Sequence, residues 1–226
     1  MRFGLFGSAQ ARRSGPDTDS SQGFREFIEN NVEAEALGYY STFLVEHHFT
    51  GFGQVSASLN LLTWLGARTR NLRLGTAVLV LPWHNPVLLA EQAATLDLLS
   101  GGRLDFGVGK GYRYNEFAGF CLPMEEAESR FEESLEVITR AFVSETPFSH
   151  QGKYWRFENI VVEPPTAQKP HPPFWMGAGS AVSVREVGER EGGLVGKGRH
   201  DVARKAPDIL ARTAEIDDDV LDTALL

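Results

Sequence analysis

The sequence predicts an α/β fold of the (β/α)8 TIM-barrel type, and three observations carry that expectation. Strand-like apolar runs alternate with helical periodicities along the chain, the pattern of a parallel sheet joined by helical crossovers. The turn after the first run, GLFGSAQA, is neither GxGxxG nor GxxxxGKS/T, so an open nucleotide-binding sheet loses its usual signature. Candidate reactive residues then fall just after three different strands, His47 after the second, Lys110 after the fourth and Ser180 after the fifth. Active sites of barrels are built at those strand ends.

The elements follow in order. Residues 2–7 form an apolar run closed by a polar stretch with a Gly15-Pro16 turn signal, which reads as a strand and a loop. Phe24, Phe27 and Ile28 recur at helical spacing until Gly38, and residues 40–45 are the second strand. Val55, Leu59 and Leu62 mark one face of the next helix. LRLGTAVLVL, residues 72–81, is a nearly continuous apolar run suited to a strand covered on both faces. Pro82 and Pro86 bracket a loop, Leu89, Ala93 and Leu96 a third helix, and residues 103–109 a fourth strand. Phe131, Leu135, Ile138 and Phe142 line a fourth helix whose other face, Glu128, Glu132, Glu133 and Glu136, reads as solvated. Residues 146–173 break the rhythm and read as an excursion with one or two short strands. Residues 174–178 are a fifth strand, 180–191 a fifth helix and 194–196 the stump of a sixth strand.

Whole barrels take about 250 residues. Five units and a stump use 196 of the 226 here, so the expectation is a single domain, 1–226, with a barrel core over 1–196, an atypical tail over 197–226, and C-terminal strands missing.

Composition narrows the function. A formal charge of -8 and 22 Lys+Arg against 30 Asp+Glu argue against a nucleic-acid groove or an anionic membrane surface and favour a small-molecule partner. The single cysteine, Cys121, allows no internal disulfide and no cysteine-rich metal site, which fits a reducing cytoplasm. No leader-like h-region opens the chain and no run approaches the roughly 20 apolar residues of a membrane span, so a soluble, unexported protein is expected.

FLVEHHF, residues 43–49, places Glu46, His47 and His48 at a strand end. Neighbours on a strand point to opposite faces, so a metal site there is the weaker reading, beside locally satisfied histidines or a base over the barrel mouth. FGVGKGY, residues 106–112, offers glycines that admit close backbone approach and the cation Lys110; either an anionic group sits there, or the glycines only make the turn and Lys110 is solvated. GAGSAVS, residues 177–183, sets small residues and hydroxyls where a helix begins, again suiting an anion such as phosphate.

LVEHHFTGFG, the block from Leu72 to Tyr112, and GKYWRFENIVVEPPTAQKPHPPFWMGAGS together resemble the bacterial luciferase-like flavin monooxygenases over roughly residues 1–195. The resemblance implies a barrel binding reduced FMN, or in some branches the deazaflavin F420, at its C-terminal mouth. It implies His47 as catalytic base with His48 its neighbour, and Lys110, Gly111 and Tyr112 at the flavin phosphate with Gly179, Ser180 and Ser183 as the second half of that site. A non-proline cis peptide between Ala77 and Val78 would lie against the flavin ring. Gly109 stands where the luciferase subunit has a reactive cysteine, so no chemistry here depends on that thiol. The implied activity is a monooxygenase in which reduced FMN and O2 give a C4a-hydroperoxyflavin that oxidises a small organic substrate. A flavin reductase would supply FMNH2, and a homo- or heterodimer is implied. A flavin-sequestering protein, an inactive fragment and an F420- or NADPH-dependent oxidoreductase are the alternatives. Trp83, Tyr112, Tyr114 and Phe117 would either shield the site or simply pack.

Overall fold

The computed structural model describes residues 2–12, 15 and 17–177. The chain divides into two compact units, Met1–Phe174 and Trp175–Leu226, the second described only at 175–177. The expected helix over 180–191, the strand over 194–196 and the tail over 197–226 lie outside the described residues.

The first unit alternates strand and helix as its apolar pattern predicts. β1 (Gly4–Gly7), β2 (Ser41–Leu44) and β3 (Arg73–Thr76) pair in parallel, with Leu5 beside Thr42 and Thr42 beside Leu74. β3 and then β4 (Leu79–Val80) run parallel to β5 (Leu104–Gly109). Helix α1 (Gln22–Ala36) joins β1 to β2, α2 (Ser58–Arg68) joins β2 to β3, and α3 (Pro86–Leu99) joins β4 to β5. Every residue of β5 is buried, as a strand covered on both faces requires. Leu44, Leu62, Leu65, Leu74, Leu89, Leu96 and Phe106 are among the fully buried side chains of the core. No helix among the described residues is long and apolar enough to cross a membrane.

The run expected as one strand over 72–81 is two. Gly75 pairs with Asp105 and Leu79 with Val108, so four residues advance on one side for three on the other. The offset falls across Thr76–Val78, which includes the cis Ala77–Val78 peptide; Glu163–Pro164 and Lys169–Pro170 are also cis. Thr76 bridges the interruption: its Oγ1 donates to the Gly107 carbonyl (2.7 Å) and accepts the Gly107 N–H (2.8 Å), replacing ladder bonds that the offset removes.

Other boundaries differ from the sequence reading for local reasons. Val55 precedes α2 and bonds the backbone of His47 and Ala9 instead of joining the helix face. The stretch from Pro82 to Pro86 is not all loop: Leu81–Trp83 is a 3-10 turn, and Pro86 opens α3 because its fixed φ and missing N–H suit a first helical residue. Asn85 caps that helix by accepting from Val87 N and Leu88 N. A short helix α4 (Tyr114–Gly119) precedes α5 (Ala127–Val143), whose buried stripe contains Phe131, Leu135, Ile138 and Phe142 as expected.

The acidic face of α5 is not uniformly solvated. Glu133 accepts the Tyr154 and Trp155 N–H groups and bonds His150, anchoring the antiparallel hairpin of β6 (Phe148–Gln151) and β7 (Arg156–Ile160). β8 covers Phe174–Met176, and the Phe174 ring packs edge-on against Phe106 at 5.6 Å.

A Cβ added at Gly107 would lie 1.7 Å from the Thr76 carbonyl oxygen, a backbone atom that cannot yield without breaking the β3–β5 seam. Gly107→Ala is therefore expected to lower unfolding stability by about 2–4 kcal/mol, measured by urea denaturation; a loss near zero would mean the seam is not as tight as described.

Candidate active site

The strands of a parallel sheet share one C-terminal side, and the site residues leave from it. β2 ends at Leu44, β4 at Val80 and β5 at Gly109. Residues 46–48 follow β2, and there Glu46 and His48 bond each other while His47 turns to a different partner. The Glu46 side chain is fully buried. Its Oε1 meets His48 Nε2 at 2.7 Å, Trp83 Nε1 at 2.8 Å and His84 Nε2 at 2.9 Å, while Oε2 accepts Val80 N–H at 3.1 Å. One carboxylate thus ties the exit of β2 to the end of β4 and to the turn after it.

Burial pushes the Glu46 carboxyl up, but hydrogen bonds from His48 and His84, the charge of His84 and the Trp83 N–H outweigh it and hold the group down at about 2. Four N–H donors on one carboxylate leave no room for a cation. Among the described residues no group of three or more His, Cys, Asp or Glu side chains could hold a metal.

His47 has a different partner. Its Nδ1 lies 3.0 Å from Glu116 Oε1, and the same oxygen accepts the His48 backbone N–H at 2.9 Å. Glu116 is buried, 2% exposed, and comes from α4. An ionised Glu116 can only accept, and against it His47 carries its proton on Nδ1 and presents Nε2 as the basic nitrogen.

The path from β5 to α4 runs through the glycine-rich segment. Gly111 has φ +77, and a Cβ there would meet Val80 Cγ1 at 2.7 Å and Phe117 Cε2 at 3.0 Å; one at Gly109 would meet Val78 Cγ2 at 2.6 Å. The close approach these glycines allow is to the chain's own residues.

Lys110 makes an ion pair with Glu128, both side chains about half exposed. Gly179, Ser180 and Ser183, the other expected half of the phosphate site, lie outside the described residues. Tyr112 and Tyr114 are largely exposed, whereas Phe117 is fully buried and packs against Trp83 at 5.2 Å. Trp83 stacks on Phe120 at 5.1 Å, and the His48 ring sits edge-on to Phe120 at 4.8 Å and to Trp83 at 5.7 Å. An aromatic wall therefore backs the second histidine. A cavity of about 480 Å³ lies elsewhere, between β1, β2 and α1, lined by Leu5, Gly7, Phe27, Asn31 and Thr42 among others. Glu46, His47 and His48 are not among the residues that line it.

Glu116, Trp83 and His84 were not singled out by sequence as partners of the two histidines. Glu116 lies 69 residues from His47, a separation no local spacing rule spans. The carboxylate at position 46 was visible in FLVEHHF, but the donors it gathers were not.

The profile of the family described as luciferase-like monooxygenase matches residues 1–225. The chain is 30% identical over 180 residues to the oxygenase component of the flavin-dependent trigonelline monooxygenase of Acinetobacter baylyi, covering 79% of this chain and 49% of that protein. It is 32% identical over 187 residues to an F420-dependent glucose-6-phosphate dehydrogenase of Segniliparus rotundus, covering 77% and 54%. The crystal structure of the monooxygenase RslO1 from Streptomyces bottropensis superposes with a TM-score of 0.75 at 28% identity, covering 95% of this chain and 66% of that one. The chain spans about half the length of the curated relatives it matches.

The depressed Glu46 value has a sign. A carboxyl that ionises near 2 in the fold and near 4.5 unfolded contributes stability that is complete above about pH 4.5 and is lost as pH falls toward 2. That contribution is on the order of 3 kcal/mol. Glu46→Gln is expected to flatten the fall in denaturation midpoint between pH 5 and pH 2; an unchanged slope would assign the acid sensitivity to other groups.

Proposed function

The chain belongs to the luciferase-like monooxygenase family, and from that premise we propose that it binds reduced FMN at the C-terminal ends of β2 to β5 and uses O2 to oxidise a small organic substrate. The observation that carries the reading is the His47–Glu116 pair, a nearly buried imidazole held by a buried carboxylate at the strand exit. Ala77–Val78 lie between β3 and β4, and Lys110 follows the end of β5.

The residues present suit the cofactor at two points. Lys110 is a strand-end cation with a half-exposed ammonium, and Gly111 and Tyr112 follow it at the same loop. In this reading Lys110, with Gly179, Ser180 and Ser183, holds the phosphate, and Ala77 and Val78 border the ring. FMN, when bound, supplies the electrons and the oxygen chemistry. The protein's own part is positional. Glu116 fixes the His47 ring so that Nε2 takes or returns a proton, His48 buttresses it from the aromatic wall, and Trp83, Phe117 and Phe120 keep water from that side. Glu128 must release Lys110 before the cation can serve a phosphate, which moderates the affinity. A separate reductase would deliver FMNH2, as the words "oxygenase component" describe for the Acinetobacter relative.

A second reading, hydride transfer with F420, is favoured by the comparable identity to the F420-dependent dehydrogenase. Anaerobic titration of the purified chain with FMN and with F420, followed by fluorescence, separates the two by which chromophore binds.

Two outcomes test the first reading. Lys110→Ala should weaken FMN about tenfold more than it weakens riboflavin, since only FMN carries the dianion; equal losses would remove Lys110 from the phosphate. His47→Asn should cut incorporation of 18O from labelled O2 into product by about 100-fold with flavin affinity unchanged, and a variant as active as the parent would end the assignment of His47 as base.

A further inference from the structure

The side chain that the reaction leaves unexplained is Glu46. It touches none of the strand-end groups assigned to cofactor, yet it is fully buried and holds donors from three separate places: His48 beyond β2, Val80 in β4, and Trp83 and His84 in the turn after β4. Burying a carboxylate costs several kcal/mol unless its lone pairs are all used. Here they are, because a carboxylate offers about four acceptor positions and four N–H groups point at this one.

We infer that Glu46 is a positioning residue that sets the tautomers of His48 and His84, holding both imidazoles with the proton on Nε2. An ionised carboxylate accepts and cannot donate, so an imidazole nitrogen 2.7 Å or 2.9 Å from it must carry the hydrogen. Glu46 stays ionised because its donors hold its carboxyl low. In the neutral state His48 is then left with Nδ1 as its basic nitrogen, and His84 likewise.

The consequence lies in the contrast with His47. Glu116 accepts a hydrogen bond from Nδ1–H of His47, so that ring offers Nε2; Glu46 accepts one from Nε2–H of His48, so that ring offers Nδ1. Two neighbouring histidines, each with its own buried carboxylate, thus present opposite nitrogens, one at the ring tip and one at its flank. The two side chains are chemically identical, but their roles are not exchangeable. The Val80 bond adds a second effect: the carboxylate that orients His48 also pins the segment that follows Ala77–Val78. Part of this inference, the relevance of His48 and His84 to turnover, rests on the function proposed above. The tautomer assignment does not.

The experiment is imidazole 15N NMR of the full 226-residue chain, without flavin, on the alkaline side of the histidine titration. His48 and His84 are assigned by the loss of their signals in His48→Asn and His84→Asn. The expected spectrum of the parent has both rings with a protonated, pyrrole-like Nε2 and a pyridine-like Nδ1, and His47 with the reverse. Glu46→Gln, whose amide presents its own N–H donors to the cluster, should shift at least one of the two rings to a tautomer mixture while the His47 signals stay in place. A parent spectrum with Nδ1 protonated in His48 or His84 overturns the inference, whether or not the variant folds. So does a folded Glu46→Gln protein in which both rings keep the Nε2 proton. Failure of flavin binding in a separate titration would sink the proposed function and leave this result standing.

Discussion

The mouth of this sheet is organised around one buried carboxylate. Glu46 sits where β2 ends, and every donor it gathers belongs to a segment that must be in place for the site to exist: His48 beside His47, Val80 on the strand that carries Ala77–Val78, Trp83 and His84 in the turn leading to α3. The interaction is cooperative. Remove a donor and the carboxylate is left underpaired in a region where that costs several kcal/mol; remove the carboxylate and four N–H groups lose their acceptor. Such a node ties strand ends together more firmly than the same number of scattered surface bonds.

A second constraint feeds the first. β3, β4 and β5 pack so closely that three positions on β5 and its exit accept no side chain, since Gly107, Gly109 and Gly111 face the Thr76 carbonyl, Val78 and Val80 in turn. Thr76 supplies the bonds that the offset ladder lacks. That tight seam, followed by the positive φ of Gly111, lets the chain turn back into α4 and present Glu116 to His47. The glycines reach the chemistry at one remove, by letting strands and an aromatic close ranks so that a carboxylate arrives from the far side.

Much of the architecture was legible because its signals are local. The apolar run of 103–109, the helical stripe at Leu89, Ala93 and Leu96, and the stripe from Phe131 to Phe142 name a parallel strand and two helices. The misread boundaries were those set by contacts across the sheet. The offset at Thr76–Val78 depends on β5, and Val55 leaves the helix face to bond His47. Glu133, expected on a solvated stripe, is taken up by backbone N–H groups of a hairpin more than twenty residues on.

The sequence by itself determined the fold class, the two adjacent histidines at a strand end, and, through LVEHHFTGFG and its companion blocks, the family. Apolar period and short motifs are properties of neighbouring residues, and neighbours in sequence are enough to read them. Only the tertiary structure decided that His47 and His48 answer to different carboxylates, that the glycines let β3, β4 and β5 approach closely, and that Lys110 is paired with Glu128. Those outcomes turn on which groups meet after the strands align, and a hydrogen bond across 69 residues leaves no periodicity behind.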